Sequence, residues 1–180
     1  VGSMPCMPAR RDMHSGRLNF LHRSWGPLEP FDNSFPEILR NNKIYSHLVT
    51  DHYHYFEDGG ATYHNRFNSW DFIRGQESDP WKAMVQPPLD KFKEKFHKSQ
   101  LNILDRESGR YRYAVNSEFI KEEKDFPSVK CFNSALNFLQ TNKDAGEWFL
   151  QLETFDPHEP FFAPERFREK FKTNYRGPRL

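Results

Sequence analysis

The sequence is short of cysteine, of net charge and of long apolar runs, and each shortage removes a class of function. Its two cysteines, Cys6 and Cys131, cannot make a disulfide framework and leave at most one bridge. A formal net charge of +1 supplies no field for nucleic acid or an anionic membrane surface. No apolar run approaches the roughly 20 residues that span a bilayer, so no membrane span is expected. Internal repeats and low-complexity tracts are lacking as well. No signal peptide is visible, yet the chain opens Val1-Gly2-Ser3 without methionine, so its compartment stays unassigned.

Aromatic residues, by contrast, make up 16% of the chain while the mean hydropathy is −0.91. Large amphipathic rings therefore outweigh the aliphatic side chains that usually fill a core. A chain of this length can bury roughly 70% of its unfolded surface as one domain. The shortage of aliphatic residues suggests that part of the core lies outside it.

The order of elements reads as α/β. In "SFPEILRNNK", Ser34 is a candidate N-cap, Pro36 falls in the first turn and Glu37 holds the capping-box position. "IYSHLV" (44–49) follows as a short strand. The stretch "FEDGGATYHNRFNSWDFIRGQESDPW" is rich in turn residues, and Gly59-Gly60 is its sharpest break. "LDKFKEKFHKSQ" predicts an exposed helix with Phe92 and Phe96 four apart, its lysines on a solvated face. Residues 101–127 carry no decisive pattern. Beyond them Ser128 can cap a helix whose Val129, Phe132, Leu136 and Leu139 make an apolar stripe. Cys131 beside that stripe reads as an inert thiol. "EWFLQLETF" (147–155) predicts a strand covered on both faces. "DPHEP" ends it, and Pro164 starts a further helix with Phe167 and Phe171. In such open sheets, sites lie beyond the carboxyl ends of the strands.

Three segments could carry chemistry. In "PCMPARRDMHSGR" (5–17), Pro8 suits a first helical turn and Gly16 a helix end, framing a short helix over Ala9–Ser15. Cys6 then sits at the positive end of the dipole, and Arg10 one turn on can hold an anion through its fork. A buried thiol beside a surface arginine fits the same spacing. In "TDHYHYF", His52 and His54 share a face if the chain stays extended. A zinc pair is the weaker reading there, since no matching ligand cluster accompanies it. In "DPHEP", His158 is braced by Pro157 and Pro160 directly after a strand, with Asp156 suited to orienting the loop. His64, Asn65 and Arg66 are candidate specificity residues in the turn-rich loop.

Cys6-Met7-Pro8-Ala9-Arg10 with Ser15-Gly16-Arg17 resembles the signature of the type I sulfatases, Cys-x-Pro-Ser/Ala-Arg followed by Thr/Ser-Gly-Arg/Lys. The resemblance implies part of an alkaline-phosphatase-like sandwich, an α/β fold with a mixed, mainly parallel sheet flanked by helices. It implies that Cys6 is oxidised by a formylglycine-generating maturation enzyme, and that a divalent cation, calcium in most of the family, binds the formylglycine. His52 and His54 then stand where the family usually has Lys-x-His, with histidine in place of lysine. His158 matches the histidine of a Pro-His-x-Pro loop that contacts sulfate or helps protonate the leaving oxygen.

On this reading Cys6, Arg10, His54 and His158 are catalytic, and His52 binds substrate. The family's Asp-Asp and Asp-Asn/His metal ligands are not recognisable, so residues 1–180 are expected to be an internal segment of one catalytic domain, inactive alone. The substrate is expected to be a small sulfate ester of a carbohydrate or aryl alcohol. The alternatives are a phosphonate monoester or phosphodiester hydrolase of the same superfamily, and an inactive, truncated anion-binding fragment.

Overall fold

Three short parallel strands order the first part of the molecule: β1 (Tyr45–Thr50), β2 (Ser69–Phe72) and β3 (Trp148–Glu153), in the order β2-β1-β3. The computed structural model describes residues 2–21, 23–60, 62–100, 105–175 and 177. The chain divides into two compact units, Val1–Phe72 with Cys131–Glu153, and Ile73–Lys130 with Thr154–Leu180.

In the first unit β1 is central. His47 lies opposite Ser69 on one side and Leu150 on the other. Five of the six β1 residues are buried, whereas every β3 residue is only half-buried. The strand expected to be covered on both faces is therefore corrected to a side strand, and the shorter-reading β1 is the buried one. β2 was not anticipated, because its four residues lie inside the turn-rich stretch.

Helices α1 (Cys6–Ser15) and α2 (Phe35–Asn41) belong to one face of this sheet, where Met7, Leu28, Leu48, Tyr55, Tyr63 and Phe67 form the core, with Phe35 and Phe149 against it. α1 begins at Cys6, three residues earlier than its spacing predicted. Pro8 sits within the first turn, where its missing N–H leaves no bond unmade. Gly16 ends the helix at φ 67°, its N–H donating to the Asp12 carbonyl at 2.8 Å. Ser34 does stand at the N-cap of α2, but the capping box does not form. The Ser34 hydroxyl is buried without a partner among the described residues, and Glu37 instead accepts from Arg66 at 2.9 Å.

The opposite face meets α5 (Pro127–Thr141), where Phe138 stacks on His47 with ring centroids 4.9 Å apart and Ser134 donates to Asp71. α5 starts on Pro127, so Ser128 is not its cap. Its expected stripe is also corrected: Phe132, Leu136 and Leu139 are exposed, while Cys131 and Ala135 are buried. Small residues let the helix lie close to the sheet, and Cys131, Ala135 and Phe138 have the same helical spacing as the larger residues beside them.

The second unit is helical, with no strand among its described residues. α3 (Leu89–Lys95) and α4 (Gly109–Ser117) pack through Phe92, Tyr111, Ala114 and Val115. Phe92 is wholly buried although its helix read as exposed. Ser108 caps α4 by accepting from the Tyr111 N–H at 3.1 Å. α6 (Glu165–Arg168) follows Pro164 as expected and continues in a 3-10 turn to Phe171. Of the stretch left without a pattern, 101–104 lie outside the described residues, as do 178–180 at the chain end. The whole is mixed α/β, a small three-stranded parallel sheet flanked by helices. Among the described residues no helix is long and apolar enough to cross a membrane.

Candidate active site

α1 meets the carboxyl end of β3 through Arg10 and Glu153. Cys6 is the first residue of that helix and half-buried. One turn later Arg10 donates from Nη1 to the Cys6 carbonyl at 3.2 Å. The rest of its guanidinium, Nε and Nη2, is turned onto the Glu153 carboxylate at the end of β3. Burial works against the Arg10 charge, but Glu153, with smaller help from Tyr55, outweighs it and raises the arginine's pKa. The fork expected to hold an external anion thus already holds an internal one.

Glu153 accepts two further bonds, from the Tyr55 hydroxyl at 2.8 Å and from Gln151 Nε2 at 3.0 Å. Burial, reinforced by the Glu153 charge, lifts the Tyr55 hydroxyl well above its ordinary pKa and keeps it a donor. His52 follows β1, fully buried, its N–H donating to Thr50 Oγ1 at 3.0 Å. Its ring lies edge-on to Tyr55 and to His54, with centroids 5.0 and 5.1 Å apart. His54 stands further out, half-buried, with Nδ1 2.7 Å from Glu57 Oε1. Its backbone position depends on Gly60: a Cβ there would lie 1.6 Å from the His54 carbonyl oxygen. Cys6, Arg10, Glu153, Tyr55, His52, His54 and Glu57 therefore form one unbroken chain of contacts.

His14, two turns along α1 from Cys6, lies behind this chain. Its ring is buried against Phe35, Tyr63 and Phe67, and neither nitrogen has a hydrogen-bond partner among the described residues. Burial, with the nearby Arg10 charge, depresses its pKa to about 3, so it is neutral at physiological pH.

His158 belongs to the second unit. Its ring stacks on Phe155 at 4.2 Å, and Nδ1 lies 2.9 Å from the Glu159 carbonyl. Asp156 accepts from Gln76 Nε2 at 2.8 Å, which orients the loop as expected. Both residues line a cavity of about 10 Å³ with Gln76 and Tyr113, room for a single water. The candidate specificity residues of the turn-rich loop make internal contacts: Arg66 pairs with Glu37, the Asn65 carbonyl accepts from Arg40 at 3.4 Å, and His64 packs between Phe56 and Trp70.

Sequence reasoning missed Glu153, Tyr55 and Trp25, the last in edge contact with His54 at 4.8 Å. Glu153 had a usable signal, being the final residue of a strand whose carboxyl end is where such sites lie. Calcium takes about six to eight oxygen ligands. Among the described residues no three His, Cys, Asp or Glu side chains converge as a metal-binding group, so these residues alone do not fit the cation. Compared with known proteins, the chain matches no family model, no curated protein and no solved structure.

Proposed function

We propose that this chain is part of a sulfuric ester hydrolase, of alkaline-phosphatase-like architecture, whose nucleophile is made from Cys6. One observation carries the reading: the motif cysteine opens a helix whose Arg10 and two strand-end histidines meet in a single contact chain. Formylglycine, as its hydrate, would supply one hydroxyl to attack sulfur while the bond from sulfur to the ester oxygen breaks and the alcohol leaves with a proton; deprotonation of the second hydroxyl would then expel sulfate and restore the aldehyde, which water rehydrates. The chain's own residues then have separable tasks. Arg10 fixes the Cys6 turn through its carbonyl, and Glu153 holds its guanidinium in place. An arriving sulfate competes with Glu153 for that guanidinium. His54, exposed enough to meet substrate and oriented by Glu57, is suited to move the proton to or from the ester oxygen. His52 braces His54 from behind, and Tyr55 locks Glu153. His158 enters through the resemblance alone. Calcium enters through the resemblance alone, and no step is assigned to it.

The test is peptide mass spectrometry across Cys6 in protein made with a formylglycine-generating enzyme, alongside sulfate-ester hydrolysis. The expected result is an aldehyde at Cys6 and activity that vanishes in Cys6→Ala. Activity with Cys6 entirely a thiol sinks the proposal. Activity on phosphonate or phosphodiesters alone replaces it with the sister reaction.

A further inference from the structure

We propose that Ser69 is a second nucleophile of this chain, activated by His47, and that it accepts the acyl group of a small carboxylic ester. None of its partners belongs to the Cys6 contact chain, so the proposal stands or falls independently of the sulfate-ester reading. Parallel pairing sets His47 of β1 directly opposite Ser69 of β2, which puts both side chains on one face of the sheet. His47 Nδ1 lies 2.7 Å from Ser69 Oγ, and Nε2 lies 3.8 Å from Asp71 Oδ2, two residues further along β2. Asp71 in turn accepts from the Ser134 hydroxyl of α5. Phe138 stacks on the imidazole with the two rings within 2° of parallel, which restricts its rotation. With the ring proton on the nitrogen that faces the carboxylate, the other nitrogen is the acceptor for the Ser69 proton. A serine beside a base that a carboxylate orients is the arrangement of an activated hydroxyl.

The surroundings favour that role over a simple clasp between strands. His47 is buried, whereas Tyr45 and Asp71 are exposed beside half-buried Ser69, so the base is screened from water while the hydroxyl is approached from the surface. Burial lowers the pKa of His47, and the Asp71 charge offsets part of that. The ring is therefore neutral at physiological pH and able to take a proton. The Tyr45 hydroxyl donates to Ser69 Oγ at 3.1 Å, within reach of the oxygen of a carbonyl bonded there. It can stabilise the charge that develops on that oxygen. A single donor of this kind suits an ester, whose alcohol leaves readily, better than an amide. Attack forms a bond from Ser69 Oγ to the carbonyl carbon while the serine proton passes to His47 Nδ1. The bond to the ester oxygen then breaks, and the alcohol leaves with that proton. Water, giving a proton to the same nitrogen, attacks the acyl-serine; the acid departs as Ser69 regains its proton.

The test treats the full chain with a fluorophosphonate, which loses fluoride to an activated serine, and locates the adduct by peptide mass spectrometry. p-Nitrophenyl acetate is the ester probe, read as nitrophenolate release and acetylation of the same peptide. The expected result is an adduct at Ser69 in the folded protein that is absent in urea, and acetyl transfer to the same hydroxyl. Labelling should vanish in Ser69→Ala, fall about a hundredfold in His47→Gln and fall about fivefold in Asp71→Asn, the scale of a half-exposed charge pair. Its rate in the unsubstituted protein should rise with pH to a plateau, with a midpoint below the ordinary histidine value. Asp71→Asn should move that midpoint to lower pH, a shift that lost packing alone would not produce. No adduct at Ser69, or one that persists in urea, overturns the proposal. Labelling that ignores pH removes His47 as the base and overturns it too, even where His47→Gln does not fold. An adduct at Ser69 without acetylation overturns the choice of a carboxylic ester.

Discussion

The two units pair the same charges in opposite surroundings. In the first, Arg11 meets Asp32 with side chains 2% and 6% exposed; in the second, Arg166 forks onto Glu123 with 61% and 40% exposed. Geometry alone would rank the second pair as the better bridge, since it has two well-formed bonds of 2.6 and 2.5 Å. Solvent reverses the ranking. A buried charge left without its partner is a large loss, whereas water readily replaces a surface partner. The first unit therefore ties its candidate site and the loop beneath Trp25 to interactions that cannot be lost singly.

The largest expected effect follows directly. Arg11→Met strands Asp32 in the core, frees the Pro27 carbonyl and should cost about 3–5 kcal/mol in denaturant unfolding. The double variant Arg11→Met/Asp32→Asn should regain part of that loss by removing the stranded charge. If the single variant unfolds like the parent, the contrast between the units is wrong at its strongest point.

Glu153→Gln asks whether the same logic reaches the candidate site. It keeps the shape but removes the carboxylate that Arg10, Tyr55 and Gln151 share. The loss should be about 1.5–3 kcal/mol, the scale of hydrogen bonds to charged groups. The guanidinium it releases should bind sulfate more tightly, measured by calorimetry. Unchanged stability together with unchanged sulfate affinity would show that Arg10 and Glu153 are not coupled.

What the sequence made legible was local. Pro8 and Gly16 framed α1, Ser34 and Pro36 marked the start of α2, and the apolar runs marked β1 and β3, because each signal acts within a few residues. β2 escaped because Ser69–Phe72 has no pattern of its own; it is a strand by virtue of pairing with β1, 22 residues upstream. Glu153 escaped as the partner of Arg10 because 143 residues separate them. The α5 stripe misled because two helical faces had matching periods, and the smaller residues could approach the sheet more closely. The motif residues stood out by type and spacing, but the carboxylate that restrains Arg10 could be read only from the fold.

His14 gives a smaller effect with a pH signature. Its folded pKa of about 3 lies below the ordinary 6.5, so the unfolded chain binds the extra proton. Its contribution is complete above 6.5 and is lost as pH falls from there toward 3. By pH 5.5 the loss is about 1 kcal/mol, and it grows by roughly as much again for each further pH unit. His14→Leu should flatten that part of the stability profile in unfolding measured from pH 4 to 8. A profile equally steep in the variant would mean that the ring is protonated in the folded protein.

The least effect should come from the bridge that looks best. Hydrogen bonding between Arg166 and Glu123 raises the pKa of the arginine and lowers that of the carboxylate. Both side chains are nevertheless long and exposed, so ordering them in one geometry offsets much of their attraction, and salt screens the rest. Arg166→Ala should leave the unfolding midpoint within experimental error at physiological ionic strength. A clear loss would show that the second unit also depends on its charges. A loss that disappears in high salt would locate that dependence in this surface pair rather than in the packing of Phe126 and Phe162 beside it.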